Sequence, residues 1–140
     1  IGATANPGAA DLRAEIENTQ RKIDAGAQFL QTQAVFEVAA VERYLEAARL
    51  GDVALLAGVI PLKSAKMAAW LNANVPGIRV PDALLAEMQT AAEEGREEQV
   101  GLDIATRLVR DLRGVAGGVH LMALGWEAHI PHILRASGVR

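Results

Sequence analysis

The residues whose types and spacing invite chemistry lie between Asp24 and Phe36, where Gln28, Gln31 and Gln33 interrupt a run otherwise fit for burial. Gly26 stops a helix there, and residues 29–34 read as a short strand. Successive strand side chains point to opposite faces, so Phe29, Gln31 and Gln33 share one face and Leu30, Thr32 and Ala34 the other. A buried carboxamide without partners costs on the order of 1–3 kcal/mol. Two glutamines on one face of an interior strand therefore require a polar network or a ligand, whereas on an edge strand water satisfies them. Other reactive types are sparse. The three histidines are His120, His129 and His132. His129 and His132 lie three apart on a helix, but no third ligand accompanies them where zinc takes about three or four, so all three read as surface histidines and no metal is expected. Ser64 and Ser137 lack a histidine–carboxylate pattern. The glycines from Gly114 to Gly118 follow a helix and lack the lysine and spacing of a phosphate-binding loop.

The 140 residues suit one domain or part of a larger one, and 51% are hydrophobic, enough for a core. The absence of cysteine excludes disulfides, thiolate metal sites and cysteine nucleophiles. Fourteen basic against seventeen acidic residues give a net charge of −3, which offers no basic field for nucleic acid. No apolar run approaches the roughly 18 residues that span a bilayer, so a soluble cytoplasmic protein is expected. The chain opens on Ile1, and Ile1–Ala5 reads as the end of a strand. The expectation is a single partial domain over residues 1–140, with its amino-terminal half absent.

The elements that must position the glutamines follow from periodicity. Asn6-Pro7-Gly8 is a turn, and a helix runs from about Ala10 to Ala25 with Leu12, Ile16, Thr19 and Ile23 on one face. After the glutamine strand, a second helix covers roughly Glu37 to Arg49. Val53 to Ile60 is apolar on both faces, the pattern of a covered strand that Pro61 stops. Lys63 to Ala73 reads as a short helix, Pro81 opens another through Glu93, and the longest begins near Arg96 with Val100, Ile104, Leu108 and Leu112 four apart. Val119 to Leu124 is the last strand and Trp126 to Ala136 the last helix. Such alternation means parallel pairing through right-handed crossovers, which a doubly wound sheet and a piece of a (β/α)8 TIM barrel both satisfy. A full barrel takes about 250 residues. The strand ends at Asn6-Pro7, Gln33, Pro61 to Ser64 and Gly125 to Glu127 favour the barrel, because there they gather on one face.

With those strand ends aligned, the sequence resembles the methylenetetrahydrofolate reductases, a flavin-dependent (β/α)8 family. The matching blocks are Asn18 to Ala27, Thr32-Gln33 with Phe36, Ala57 to Ser64, and Gly118 to Gly138. Four blocks in order are specific where any one alone is weak. The resemblance implies the C-terminal portion of the barrel, from the end of its fifth strand through its eighth helix.

The resemblance also implies roles. Glu15, Asn18, Arg21 and Lys22 match positions that hold the flavin's ribityl and phosphate portions, and Asn6 matches a loop residue near the flavin. Helical spacing puts Glu15, Asn18 and Lys22 on one stripe, with Arg21 nearly opposite the core. Gln33 matches the family's folate-contacting glutamine; a carboxamide donates and accepts at once, as the edge of a pterin requires. Gln31 is its neighbour on the same face. Met67 stands where many members carry a second substrate glutamine, and Gly125-Trp126 where they carry an Asn-Arg pair. Trp126 is expected either to stack on a substrate ring or to pack on the barrel floor. The Leu124 to Glu127 ending is similar to a branch from anaerobic bacteria whose reductase works beside partner subunits.

What the family implies for activity is reduction of 5,10-methylenetetrahydrofolate to 5-methyltetrahydrofolate in one-carbon metabolism and methionine biosynthesis, with FAD, or else FMN, as the flavin. The electron donor would be NAD(P)H or a partner redox subunit, and the full-length protein is expected to be an oligomer. The family's general acid lies on its first strand, so no catalytic residue is assigned in this chain, which alone is expected to be inactive. The alternatives are a folate-binding methyltransferase barrel and a non-catalytic half-barrel module.

Overall fold

A computed structural model describes residues 1–139. Four short strands, β1 (Gly2–Ala5), β2 (Phe29–Ala34), β3 (Ala54–Val59) and β4 (Gly118–Leu121), form one parallel sheet in sequence order. The first two crossovers hold α1 (Leu12–Asp24) and α2 (Val38–Ala48). The third holds α3 (Ala65–Asn74), α4 (Asp82–Glu93) and α5 (Glu97–Leu112), and a 3₁₀ turn at Glu127–His129 leads into α6 (Ile130–Ala136). Right-handed crossovers that always step in the same direction leave their helices on one side of the sheet. A doubly wound sheet instead reverses its strand order at a switch point, and no reversal occurs here. The chain is therefore part of a (β/α)8 barrel.

The two faces of the sheet differ accordingly. Leu30, Thr32 and Ala34 of β2 and Leu55, Ala57 and Val59 of β3 are buried in the core with Val41 and Tyr44 of α2 and Ile104, Leu108 and Leu112 of α5. The side chains between them in sequence point the other way, where Thr4 and Gln33 are exposed and Phe29 is 36% exposed. Helix α5 lies close because it carries Gly101: a Cβ there would collide with the Leu62 carbonyl oxygen just beyond β3. Among the described residues no helix is long and apolar enough to cross a membrane.

Several boundaries differ from those expected, each for a local reason. Helix α1 begins at Leu12 because the Asp11 carboxylate caps it, accepting from the Ala14 N–H at 3.0 Å. Ser64 does the same for α3, its Oγ accepting from the Met67 N–H at 3.0 Å, so Lys63 and Ser64 stay outside the helix. Strand β4 starts at Gly118 and ends at Leu121 instead of Leu124. Leu124 and Gly125 adopt left-handed backbone (φ 48° and 91°), which cannot continue a strand. Trp126 to Ala136 is accordingly not one helix but the 3₁₀ turn followed by α6.

Helices α1 and α2 are pinned by a buried hydroxyl pair, Thr19 Oγ1 to the Tyr44 phenol at 2.6 Å. Burial pushes the Tyr44 phenol pKa up, and the bond to Thr19 partly offsets this. Tyr44→Phe leaves the Thr19 hydroxyl buried without a partner and should cost about 1–3 kcal/mol. Thr19→Val added to Tyr44→Phe should recover part of that loss. Chemical denaturation of the two single variants and the double variant checks this, and strictly additive losses would mean that the hydroxyls do not interact.

Candidate functional site

The glutamine strand reaches its site through a bulge. Strands β2 and β3 pair Phe29 with Ala54, Leu30 with Leu55 and Gln31 with Leu56, after which Ala34 pairs with Gly58. Three steps on β2 thus match two on β3, so β2 carries one extra residue. The Thr32 hydroxyl repairs the interrupted ladder: Oγ1 accepts from the Gly58 N–H at 2.8 Å and donates to the Gln33 carbonyl at 2.6 Å. Gly58 is needed for that approach, because a Cβ there would lie 2.7 Å from the Thr32 carbonyl oxygen and 3.0 Å from that of Gln33.

Gln31 and Gln33 open onto a cleft of about 440 Å³ at the carboxyl ends of β1 and β2. Its other lining includes Asn6, the α1 stripe of Glu15, Asn18 and Lys22, and, from β4 and the residues after it, His120 and Met122. The structure thus brings Asn6, Glu15, Asn18, Lys22 and Gln33 together around one space. Two of them also hold the loop after β1. The Glu15 carboxylate accepts from the Asn6 N–H at 2.9 Å, and Lys22 Nζ donates to the Thr4 carbonyl at 2.6 Å. Asn6 closes its own turn by accepting from the Gly8 N–H at 3.1 Å. Among the described residues, by contrast, the side chains of Asn18, Gln31, Gln33 and His120 make no hydrogen bond. One carboxylate and one ammonium leave the lining nearly neutral. The arrangement suits a polar, uncharged ring edge better than a free anion.

The glutamines therefore sit on a central strand, yet their face is open, and neither an edge position nor an internal polar network satisfies them. Three expected site residues lie outside the cleft. Arg21 is exposed on the side of α1 turned from the stripe. Met67 is half-buried in the first turn of α3 against the core. Trp126 stands outside that lining: it packs toward α5, 3.5 Å from where a Gly101 Cβ would stand, and its ring lies tilted 5.1 Å from that of His129. Conversely, His120, expected at the surface, is half-buried in the cleft lining, and Met122, for which no role was expected, lines it too. A lone histidine in a four-residue strand carries no local signal, and its place depends on pairing with Gly58 some sixty residues earlier.

The neighbouring turn is held electrostatically. Lys63 Nζ donates to the Leu124 carbonyl, and the Glu127 carboxylate accepts from the Gly125 N–H at 3.1 Å. Hydrogen bonds from the Glu127 and Gly125 backbone, helped by Lys63, hold the Glu127 carboxyl below its usual range. A second, smaller concavity of about 170 Å³, bordered by Arg43 and Arg79, contains none of the expected residues. No cluster of three metal-ligating side chains occurs among the described residues.

Comparison with known proteins bears on this cleft. The family model for methylenetetrahydrofolate reductase matches residues 3–138. The 5,10-methylenetetrahydrofolate reductase of Escherichia coli (strain K12) is 31% identical over 111 residues, covering 76% of this chain and 37% of that protein. A probable methylenetetrahydrofolate reductase (NADPH) of Caenorhabditis elegans is 23% identical over 139 residues, covering 96% of this chain and 21% of that protein. The chain thus spans well under half the length of the curated relatives it matches. An uncharacterized protein from Clostridium thermocellum, described as binding two copies of 5-methyl-5,6,7,8-tetrahydrofolic acid, has a similar structure with a TM-score of 0.64. The two are 19% identical, over 97% of this chain and 51% of that one, a likeness of fold.

The bulge is open to a direct test. Thr32→Val keeps the branched shape but leaves the buried Gly58 N–H without its acceptor, and should cost about 1–3 kcal/mol. Thr32→Ser, which keeps the hydroxyl, should lose clearly less. Denaturant midpoints decide, and equal losses for the two would show that the methyl group, not the hydroxyl, supports β2.

Proposed function

The chain belongs to the methylenetetrahydrofolate reductase family, and from that premise we propose that its cleft is the folate and flavin site of a reductase acting on 5,10-methylenetetrahydrofolate. The observation that carries the reading is the shared cleft, in which Gln33 and the Glu15, Asn18 and Lys22 stripe line one space. Gln33 can present a donor and an acceptor to the pterin edge, and Gln31 lies two residues before it on the same face. Asn18, whose side-chain donor and acceptor bond to no described residue, fits the polyol portion of a flavin.

Glu15 and Lys22 keep capacity beyond their bonds to Asn6 and Thr4. A carboxylate has a second oxygen, and an ammonium has three donors. Both can thus hold the loop after β1 and contact an elongated cofactor. When bound, the flavin supplies the redox chemistry, while this chain binds the two ring systems and fixes their mutual orientation. Orientation matters for hydride transfer, since misplacement by about 1 Å can cost on the order of 10²-fold in rate. The Thr32–Gly58 seam and the Lys22–Thr4 bond are the local restraints against such drift. The folate part of this reading is supported by the structurally similar Clostridium thermocellum protein, described as binding 5-methyl-5,6,7,8-tetrahydrofolic acid. Arg21, Met67 and Trp126 have no part in this proposal.

The full-length protein should purify yellow and bind 5-methyltetrahydrofolate. Gln33→Ala should weaken folate binding about tenfold, as loss of a paired hydrogen bond to a buried ligand does, without changing flavin content. Asn18→Ala should lower flavin retention and leave folate affinity in the flavin-loaded fraction nearly intact. Isothermal titration and the flavin absorbance read the two effects separately. A colourless protein that still binds folate would instead favour a methyl-transferring barrel, and binding of neither ligand a non-catalytic module.

A further inference from the structure

His120 is a titratable side chain on the open face for which the folate and flavin assignments leave no task. It is half-buried, lines the cleft, and hydrogen-bonds to no other described residue. An imidazole kept only for packing normally anchors a ring nitrogen on a carbonyl or carboxylate, and among the described residues neither nitrogen is so anchored.

Strand order fixes which part of the cleft it faces. From β1 to β4 the open face presents first the α1 stripe and Thr4, then Gln31 and Gln33, then β3, then His120. His120 is thus on the far side of the glutamines from the proposed flavin-tail residues. Between them lies Gly58, paired with His120 and without a side chain. The space over that glycine is occupied by the Met122 methyl, 3.0 Å from where a Cβ would stand. A thioether is flexible and apolar, a suitable surface beneath a flat ring. Such a ring would have its polar edges within the span bounded by Gln33 and His120.

We propose that His120 is a substrate-contacting residue, donating or accepting a hydrogen bond at the edge of the pterin opposite the one held by Gln33. The inference rests on the folate reading of the cleft and adds a second polar wall to it. His120 orients the ring together with Gln33, so that the pterin is gripped from β2 and β4 and rests on Met122.

The test measures 5-methyltetrahydrofolate affinity and flavin content in the full-length protein for wild type, Gln33→Ala, His120→Ala, His120→Asn and His120→Gln. His120→Ala should weaken folate binding about fivefold to tenfold, the range of one net hydrogen bond. It should leave flavin content and melting temperature unchanged, and at least one of the two amides should restore most of the affinity. Unaltered affinity in His120→Ala, with Gln33→Ala still weakened, overturns the role of His120 and leaves the folate reading standing. Loss of affinity in every His120 variant together with a lower melting temperature or lost flavin assigns the histidine to structure and also overturns it. If wild type binds no folate, or Gln33→Ala binds as wild type does, the folate reading itself fails and the inference falls with it.

Discussion

The cleft depends on one hydroxyl. Where β2 takes in its extra residue, the parallel ladder to β3 would lose a bond, and the Gly58 N–H would be left buried and unpaired. Thr32 supplies the missing acceptor and passes its own proton to the Gln33 carbonyl, so a single side chain closes both ends of the irregularity. A bulge without such closure would exact the desolvation cost of a backbone group and leave the strand end free to slip. With it, the carboxyl end of β2 is held in a non-repeating conformation, and Gln31, Thr32 and Gln33 all reach the cleft lining. Gly58 is the other half of the device, since any side chain there meets two carbonyl oxygens.

A second restraint acts at right angles to the first. Glu15 and Lys22 lie two turns apart on α1 and bind backbone groups at either side of the end of β1, the Asn6 N–H and the Thr4 carbonyl. Opposite charges directed at opposite ends of the same short backbone segment fix the strand against the helix without requiring an ion pair between them. Each bond is charge-assisted and hence stronger than a neutral one. The side chains left uncommitted are neutral amides and an imidazole, whose bonding depends on direction more than on charge. A cleft so divided separates the groups that hold its shape from those free to read a ligand.

The sequence makes much of this legible and hides a specific remainder. Alternation in residues 29–34 reveals which glutamines share a face, and the i, i+3, i+7 spacing of Glu15, Asn18 and Lys22 reveals their stripe. These are local facts, fixed by the period of the element. The bulge is not local: it exists only relative to β3, and nothing within Phe29–Ala34 announces it. His120 is hidden for the same reason, its partner Gly58 being remote in sequence. Trp126 is a partial exception. A glycine inside a long helix is unfavourable by about 1 kcal/mol relative to alanine, so Gly101 signals a close approach of backbone that the helix must accommodate. That notch, shared by the Leu62 carbonyl and the Trp126 ring, is where the tryptophan settles, away from the cleft.

The open face itself changes character along the strands, and the direction of change locates chemistry. At the amino ends it is apolar: the Phe29 ring lies where a side chain on Gly2 would stand, and Leu56 closes over Gly118. At the carboxyl ends it carries Gln31, Gln33, His120 and the Asn6 loop. A face destined only to be covered by other residues would be apolar throughout, because each polar group placed there must find a partner on assembly. A face exposed to water alone would have no reason to collect its apolar side chains at one end. A barrel interior satisfies both halves of the pattern, with packed side-chain layers below and a polar mouth at the carboxyl ends of the strands. The unpartnered amides stand at that mouth, so the residues available to a ligand are also those that a packed interior could not satisfy.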